Sequence, residues 1–493
     1  MNHRKSSKLF FVFLAPLLIG IFVEAKNLEP FADSVLSSSK IPEVPYGVDT
    51  ENGQCTKTPD SPLFQHPVGS EPLEIALMTN YEGLKASTQD HRKRRGKFDK
   101  RHTFKESQLY YPGVLRVSPQ NSPEEFHAVV THIRGYSRSA HKCSDAPPLK
   151  IFFLNQTVND SIIAALQSQN INPSHEDYLE LYHNELVKIV DLPSEKAKSP
   201  TNGIFSGIGS ELKLVTHCYA QSGLEDKGHM EIFEKKFQEA VLREFALYEM
   251  LAPLQWPVER VRLLNVSYFN QWGVPIYHKK NQVNSIRKMV GFFREPQNSI
   301  SRRCGLDHKS FLKWGREANA STTDGYDLGQ ALMKESLDQL SWFHLRMMNA
   351  LIANKDYVLH HAFSSRNVNM FFAGDVESKN LNHLRLVTAP YDFDLSQFVD
   401  PTGAASSKER EQILLSVLDE VLRINENLNG YWIKKTIQIE ESKLRTSIQR
   451  VISAIPDMMV SIKASRTDQK FKDNVIEMLT LFLERLKDSK TQS

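Results

Sequence analysis

The run Pro390-Tyr391-Asp392-Phe393-Asp394 is the most specific chemical signal in the chain. On a β-strand, residues two apart share a face, so Asp392 and Asp394 are expected to point the same way, roughly 7 Å apart. The residues before them, Leu384 to Val387, are apolar enough to be buried. Two carboxylates side by side at the end of a buried strand repel each other unless a cation lies between them. An all-oxygen site of this kind suits Mg²⁺ or Mn²⁺ better than zinc. A structural Ca²⁺ site and a pair of solvated turn aspartates are the plainer readings.

Glu244 is the second signal. On a helical wheel it falls in the middle of the apolar stripe Phe233, Phe237, Ala240, Val241, Leu247, Tyr248 and Leu251, while Lys235, Glu239 and Glu249 point the other way. A carboxylate there is costly to bury unless a cation meets it. Lys213 is the natural partner, on the preceding strand between Leu212 and Leu214, which face the opposite side. A strand lysine paired with a helix glutamate is the device by which protein kinases hold phosphates; a structural ion pair is the alternative. Third, Asp356 follows a long helix and Asn367 opens the next strand. An aspartate so placed can take a proton from a substrate hydroxyl, and an asparagine amide oxygen can bind a hard metal ion. Both residue types are also common in turns.

No Walker A or GxGxxG loop is present, and Gly203 to Ser210 reads as a turn. Arg134-Gly-Tyr-Ser137-Arg138, after a strand, is the better candidate for contact with phosphate. The absence of a G-x-S-x-G elbow and of an H-E-x-x-H helix excludes the serine-hydrolase and zincin patterns.

These groups need strands and helices to position them. Short β-branched runs recur from Leu73: LEIALMT, GVLRV, FHAVVTHIRG, PLKIFFL and ELKLVTHC, then VERVRLLNVSYF and IRKMVGFF. A less regular insertion is expected at roughly 155–205 and one main helix at about 230–251. After Gly305 the pattern is mainly helical, over about 326–353, 406–424, 430–455 and 466–488. Two strand-like runs, NVNMFF and LRLVTAPYDFDL, interrupt it as a hairpin. The expected order is a β-rich part (71–300) followed by a helical part (301–493).

Before these parts, His3, Arg4, Lys5 and Lys8 precede an apolar run from Leu9 to Val23 and the small-residue site ending at Ala25. That is the pattern of a cleavable signal peptide over residues 1–25, so the mature chain is expected to be secreted or periplasmic from about Lys26. Residues 26–70, rich in Pro, Ser and Gly, read as a flexible linker, and no later segment is apolar enough to span a membrane. A net charge of +3, part of it in the signal peptide, argues against a nucleic-acid binder. The basic run at His91–Arg95, continued to Lys105, reads as a solvated loop. Cys55, Cys143, Cys218 and Cys304 lack zinc-site spacing, and export permits disulfides, with Cys143–Cys218 the preferred pair. Asn155, Asn159, Asn265 and Asn319 lie in N-x-S/T sequons, which matter if the export route is eukaryotic.

In order along the chain, Arg134–Arg138 with Cys143 and PPLKI, KLVTHC at 213–218, LREFALYEML at 242–251, the A-N-x-D element ending at Asp356, and PYDFDLS at 390–396 resemble the atypical kinases of the spore-coat-protein kinase (CotH) type. The resemblance covers about 130–400. It implies an α+β, bilobal protein-kinase-like fold, with a β-rich N-lobe carrying one main helix and a mainly helical C-lobe. It further implies ATP with Mg²⁺ or Mn²⁺ as cofactors. Asp356 would be the catalytic aspartate, Asn367, Asp392 and Asp394 the metal ligands, and Lys213 and Glu244 the pair beside the phosphates. Phe292 to Glu295 would be the hinge against adenine. The expected activity is transfer of a phosphoryl group to a protein or small-molecule hydroxyl acceptor. An inactive pseudokinase acting as a cell-envelope binding module, or nucleotidyl transfer, are the alternatives.

Overall fold

Apolar residues alternate along the strand-like runs of the first 300 residues, and seven of these runs form the wall of one closed barrel. The computed structural model describes residues 48–49, 54–55, 59–84, 110–133, 148–216, 230–314, 331–354, 368–374, 384–399 and 439–491, with gaps of one or two residues inside some of these stretches. The barrel strands are β1 (Leu73–Thr79), β2 (Tyr111–Ser118), β3 (Glu125–Ile133), β4 (Leu149–Phe153), β5 (Glu211–Val215), β6 (Val261–Phe269) and β7 (Met289–Arg294). Their order around the wall is β7-β5-β4-β3-β2-β1-β6, and β6 pairs back onto β7. Every pairing is antiparallel except β1 with β6, which run parallel from Leu73 opposite Leu264. Strands β1 and β2 approach closely at Gly113, where an added β-carbon would lie 2.7 Å from the Met78 carbonyl oxygen.

Side chains such as Leu77, Leu115, Val129, Ile151, Leu212, Leu214 and Phe293 fill the interior. Residues from the linker stretch and the expected insertion join this core. Leu63 and Phe64, in the short 3-10 turn Pro62–Phe64, pack into it, as do Phe205 and Ile208.

Helices cover the outer wall in two layers. Helices α1 (Gln156–Ser168) and α2 (Tyr178–Ile189) lie over the outward residues of β1 to β4, including Ala76, Met78, Val114 and Val130. Helix α3 (Met230–Leu251) lies over Val215 of β5 and Phe292 of β7. After β7 comes the short α4 (Gln297–Cys304), then α5 (Gln339–Leu351). The hairpin β8 (Val368–Gly374) and β9 (Leu384–Pro390) follows, and the described chain ends with α6 (Glu441–Ala464) and α7 (Gln469–Thr491).

Two sequence expectations are corrected. The bilobal kinase-like fold, with a single main helix in its β-rich lobe, is replaced by a closed seven-stranded mixed barrel wrapped by helices. The stretch expected to be irregular supplies α1 and α2. One continuous core runs from Val215 and Phe292 through α3 into α5, α6 and α7, so the outer face of the barrel and the C-terminal helices pack together. The second correction concerns the helix expected over 326–353. Leu337 bridges to Leu386 of β9, and Asp338 then caps a new helix by accepting a hydrogen bond from the Ser341 amide at 2.8 Å.

A disulfide joins Cys55 to Cys304 across a sequence separation of 249. It is buried beside Ile300, Phe371 and Val387, and so ties the N-terminal segment to α4 and the hairpin. Only one of the three possible connectivities contains this bridge, the one that also pairs Cys143 with Cys218. Those two cysteines lie outside the described residues, as do residues 1–25, the basic run at 91–105 and the stretch 406–424. Among the described residues, no helix is long and apolar enough to cross a membrane.

Candidate functional site

Alternation along β5 sends Leu212 and Leu214 into the barrel and Lys213 and Val215 outward. In register, Lys213 lies opposite Lys150 of β4 on one side and Arg294 of β7 on the other. Three cations therefore form a row across adjacent strands on the outer face. Lys213 is 6 % exposed and Arg294 is fully buried. Like charges directly opposite on a sheet destabilise it, so the row requires anions around it.

The surrounding elements bring them. Glu211 lies 3.5 Å from the Lys150 ammonium. Glu259, fully enclosed just before β6, accepts a hydrogen bond from Arg294 Nε. Glu259 is itself oriented by a relay of amides: Gln297 donates to Asn369 at 3.1 Å, and Asn369 Nδ2 donates to Glu259 Oε1 at 3.2 Å. Helix α3 carries Glu244, which is completely buried, and Tyr248 one turn later on the same face. Asp392 follows the end of β9, and its backbone N–H donates to Tyr248 Oη at 2.9 Å.

Arg294 is the centre of this arrangement. Its guanidinium lies 5.4 Å from the Tyr248 ring centre and 5.3 Å from that of Tyr391. Glu259, Tyr248 and Asp392 hold its pKa well above the usual value against the opposing effect of burial. Its Nη1 and Nη2 groups make no hydrogen bond within the described residues. Burial drives the Tyr248 hydroxyl pKa upward; Arg294 pulls it down, and Glu259, Glu244 and Asp392 add to the rise. Two of the expected site residues thus act electrostatically on one tyrosine, and the third, Lys213, is the cross-strand neighbour of the arginine against it.

Asp392 has a backbone φ of +65°, in the left-handed region that non-glycine residues adopt at a cost. Phe393 stacks on Tyr248 at 4.2 Å and holds the turn in place.

The other expected residues fall in three groups. Asp356, Asn367, Asp394, Arg134 and Ser137 lie outside the described residues. The anchors of the 355–367 segment are defined, however. Ile352 O accepts a hydrogen bond from Ser396 Oγ at 2.8 Å, Asn354 donates to Asn349 at 2.9 Å, and Ala353 has φ +48°. At the other end, Val368 pairs with Pro390, two residues before Asp392. Both ends of the segment carrying Asp356 and Asn367 are therefore fixed to the turn that carries Asp392. Glu295 is not brought to this group. Its carboxylate accepts hydrogen bonds from Arg303 at 3.1 and 2.9 Å, from Ser299 at 2.9 Å and from the Arg260 amide at 3.0 Å. Phe292 to Arg294 pair with β5 on one edge and β6 on the other, so the expected hinge has no open edge for adenine.

Sequence reasoning missed Tyr248, Glu259, Asn369 and His308, and took Arg294 only as part of the hinge. His308 packs against Phe371, with ring centres 5.5 Å apart. Burial first and Lys213 second push its pKa down to about 4, against the opposing pull of Glu211 and Asp307, which leaves the ring neutral at pH 7. Glu249, expected on the outward face of α3, is buried, and desolvation raises its pKa to about 7 against the pull of Arg260 and Arg262. Among the described residues, no three His, Cys, Asp or Glu side chains form a metal-holding group. Asp392 is the one expected ligand within them. A hard oxygen donor on a fixed turn fits Mg²⁺ or Mn²⁺, which take one or two carboxylates and fill the remaining positions with water and phosphate.

No family model matches the chain, and comparison with curated proteins gives no match.

Proposed function

We propose that the chain is an exported, metal-dependent phosphotransferase that moves a phosphoryl group from ATP to a hydroxyl of a protein or small molecule. The observation that carries this reading is the buried cation row, Lys213 beside Arg294, facing Glu244 and Asp392 across Tyr248. The disulfide between Cys55 and Cys304 supports the export part, because such bonds persist in oxidising compartments.

In this reading Lys213 holds the phosphates as a point charge, and Glu244 keeps its ammonium aimed from the helix side. Arg294 adds two donors in a planar fork suited to phosphate oxygens. Asp392, with Asn367 and Asp394 from the flanking segments, would hold Mg²⁺ or Mn²⁺. When bound, the ion neutralises charge on the phosphates. Asp356 orients the acceptor hydroxyl and takes its proton. Catalysis rests on positioning and charge placement, with little covalent work for the protein.

Thermal-shift titration of the whole chain with ATP and Mg²⁺ or Mn²⁺ tests the reading. Ligand at a hundred times its Kd contributes about 2.7 kcal/mol, which raises the melting temperature by about 2 °C or more. The shift should disappear in Asp392→Asn and in Lys213→Met. Intact-mass measurement of an acceptor after incubation should show added phosphate. A nucleotide response without mass transfer would leave a binding module in place of an enzyme. No response to either component would end the phosphate reading.

A further inference from the structure

The three sequons within the described residues differ sharply in their structural setting. Asn159, on α1, is 7 % exposed and fully engaged. Its Oδ1 accepts from the Ala128 amide at 2.7 Å and from the Tyr182 hydroxyl, and its Nδ2 donates to Phe126 O at 2.8 Å. It pins α1 and α2 to the edge of β3. Asn265, on β6, is half-buried, and its Nδ2 donates to Glu74 Oε1 at 2.7 Å, the residue opposite it on β1. The serine of that sequon, Ser267, is buried in the barrel wall. Asn319 lies outside the described residues.

Asn155 is different. It is exposed, at the N-terminus of α1 immediately after β4, with an extended backbone (φ −60°, ψ 141°). Its Oδ1 accepts from the Thr157 amide at 3.4 Å, and Thr157, the sequon's third residue, is exposed too. Its Nδ2, the atom that would carry a sugar, makes no hydrogen bond within the described residues and faces solvent. A glycan there leaves the cap intact, because capping uses only the oxygen.

We infer that Asn155 is an N-glycosylation site when the chain passes through a eukaryotic secretory pathway, and that Asn159 and Asn265 are not. The inference rests on the export reading and is independent of the phosphate reading. In the transfer, the anomeric carbon of a lipid-pyrophosphate-linked oligosaccharide leaves its phosphate oxygen and bonds to Nδ2. Nδ2 gives up one proton, and the lipid pyrophosphate departs. A glycan on Asn159 would have to displace Tyr182 and the β3 backbone, so a folded chain carries none at that position.

The test is expression of the full chain in a eukaryotic secretory host. Protein from the medium is then deglycosylated enzymatically in heavy-oxygen water, which labels each formerly glycosylated asparagine as aspartate. Label is expected at residue 155 and absent at 159 and 265. Thr157→Ala, which keeps the Asn155 cap, should remove the glycan at 155 without loss of secreted yield. Label at 159 or 265 in secreted, folded protein overturns the inference, as does secreted protein with none at 155. A second arm, with a host leader in place of residues 1–25, separates export from glycosylation. Label at 155 in this arm alone upholds the site and counts against the native leader, whereas absence of label in both arms overturns the site.

Discussion

Replacing His344 with phenylalanine should tilt the pH dependence of stability in a direction set by its burial. The ring of His344 lies on Trp256 with centres 3.9 Å apart and planes 11° from parallel, and its Nε2 meets Ser447 Oγ at 2.8 Å. Burial alone lowers its pKa to about 3. Because the folded value lies below the unfolded one, the unfolded chain holds a proton that the folded chain lacks between pH 6.5 and 3. The stability that depends on the neutral ring is complete above pH 6.5 and is lost as pH falls. The loss is about 2 kcal/mol at pH 5 and approaches about 5 kcal/mol near pH 3. Glu249 works in the opposite sense. Its folded pKa of about 7 exceeds the unfolded 4.5, so the folded chain keeps a proton in that window, and stability falls as pH rises through it. Between pH 7 and pH 5 this residue therefore adds about 2 kcal/mol, close to what His344 removes. Urea unfolding of wild type, His344→Phe and Glu249→Gln at pH 7 and pH 5 measures both effects. Relative to wild type, the first variant should gain about 2 kcal/mol on acidification and the second should lose about as much. The lost Ser447 contact shifts His344→Phe equally at both pH values and cancels from the comparison. Identical pH slopes for the three proteins, within roughly 0.5 kcal/mol, would refute the assignment of these groups.

Arg294→Met leaves Glu259 charged and enclosed, so urea unfolding should show a loss of about 3–5 kcal/mol; the double variant Arg294→Met/Glu259→Met should recover most of it. Cys304→Ser opens a loop of 249 residues and should cost roughly 3–5 kcal/mol, and a non-reducing peptide map of wild type should link Cys55 to Cys304 and Cys143 to Cys218. Phe205→Ala removes a ring in contact with those of His127, Phe153 and Phe293 in the barrel interior and should cost about 3–4 kcal/mol by the same assay, with the far-ultraviolet dichroism unchanged.

The strands of the barrel were legible because the side-chain period along each is local: ELKLV alone says that Lys213 faces away from Leu212 and Leu214. The hairpin after α5 and the burial of Glu244 on α3 were legible for the same reason. Closure of the barrel was not. It depends on β1 pairing in parallel with β6, from Leu73 opposite Leu264, and no local pattern encodes a partner so distant in sequence. Helices α1 and α2 carried a readable signal, since Asn155 caps a stretch with Ile162 and Leu166 four apart, but the polar residues between them masked it. Glu249 looked solvent-facing because the wheel of α3 ignores Arg260 and Arg262, which approach it from the start of β6. Arg294 was legible only as part of the expected hinge, and not as the partner of Lys213. Its meaning comes from lying opposite Lys213, and that is a fact of register rather than of sequence.

The row and the turn beside it carry two features that a purely stabilising network does not need. Buried charges that serve stability alone are fully hydrogen-bonded and sit on relaxed backbone. Among the described residues Arg294 retains two donor groups without acceptors, and Asp392 occupies a left-handed conformation that costs about 1 kcal/mol or more for a side chain with a β-carbon. Comparing Asp392→Gly with Asp392→Ala isolates that strain, because both remove the carboxylate and both keep the amide that donates to Tyr248. Glycine normally destabilises a folded chain relative to alanine; here Asp392→Gly should be the more stable of the two by about 1 kcal/mol in urea unfolding. Both variants should lose the response to ATP and metal ion, so the stability gained by relaxing the turn would come without function. Equal stabilities would mean that the backbone at 392 carries no strain. A retained ligand response in either variant would mean that the carboxylate held there serves the fold alone.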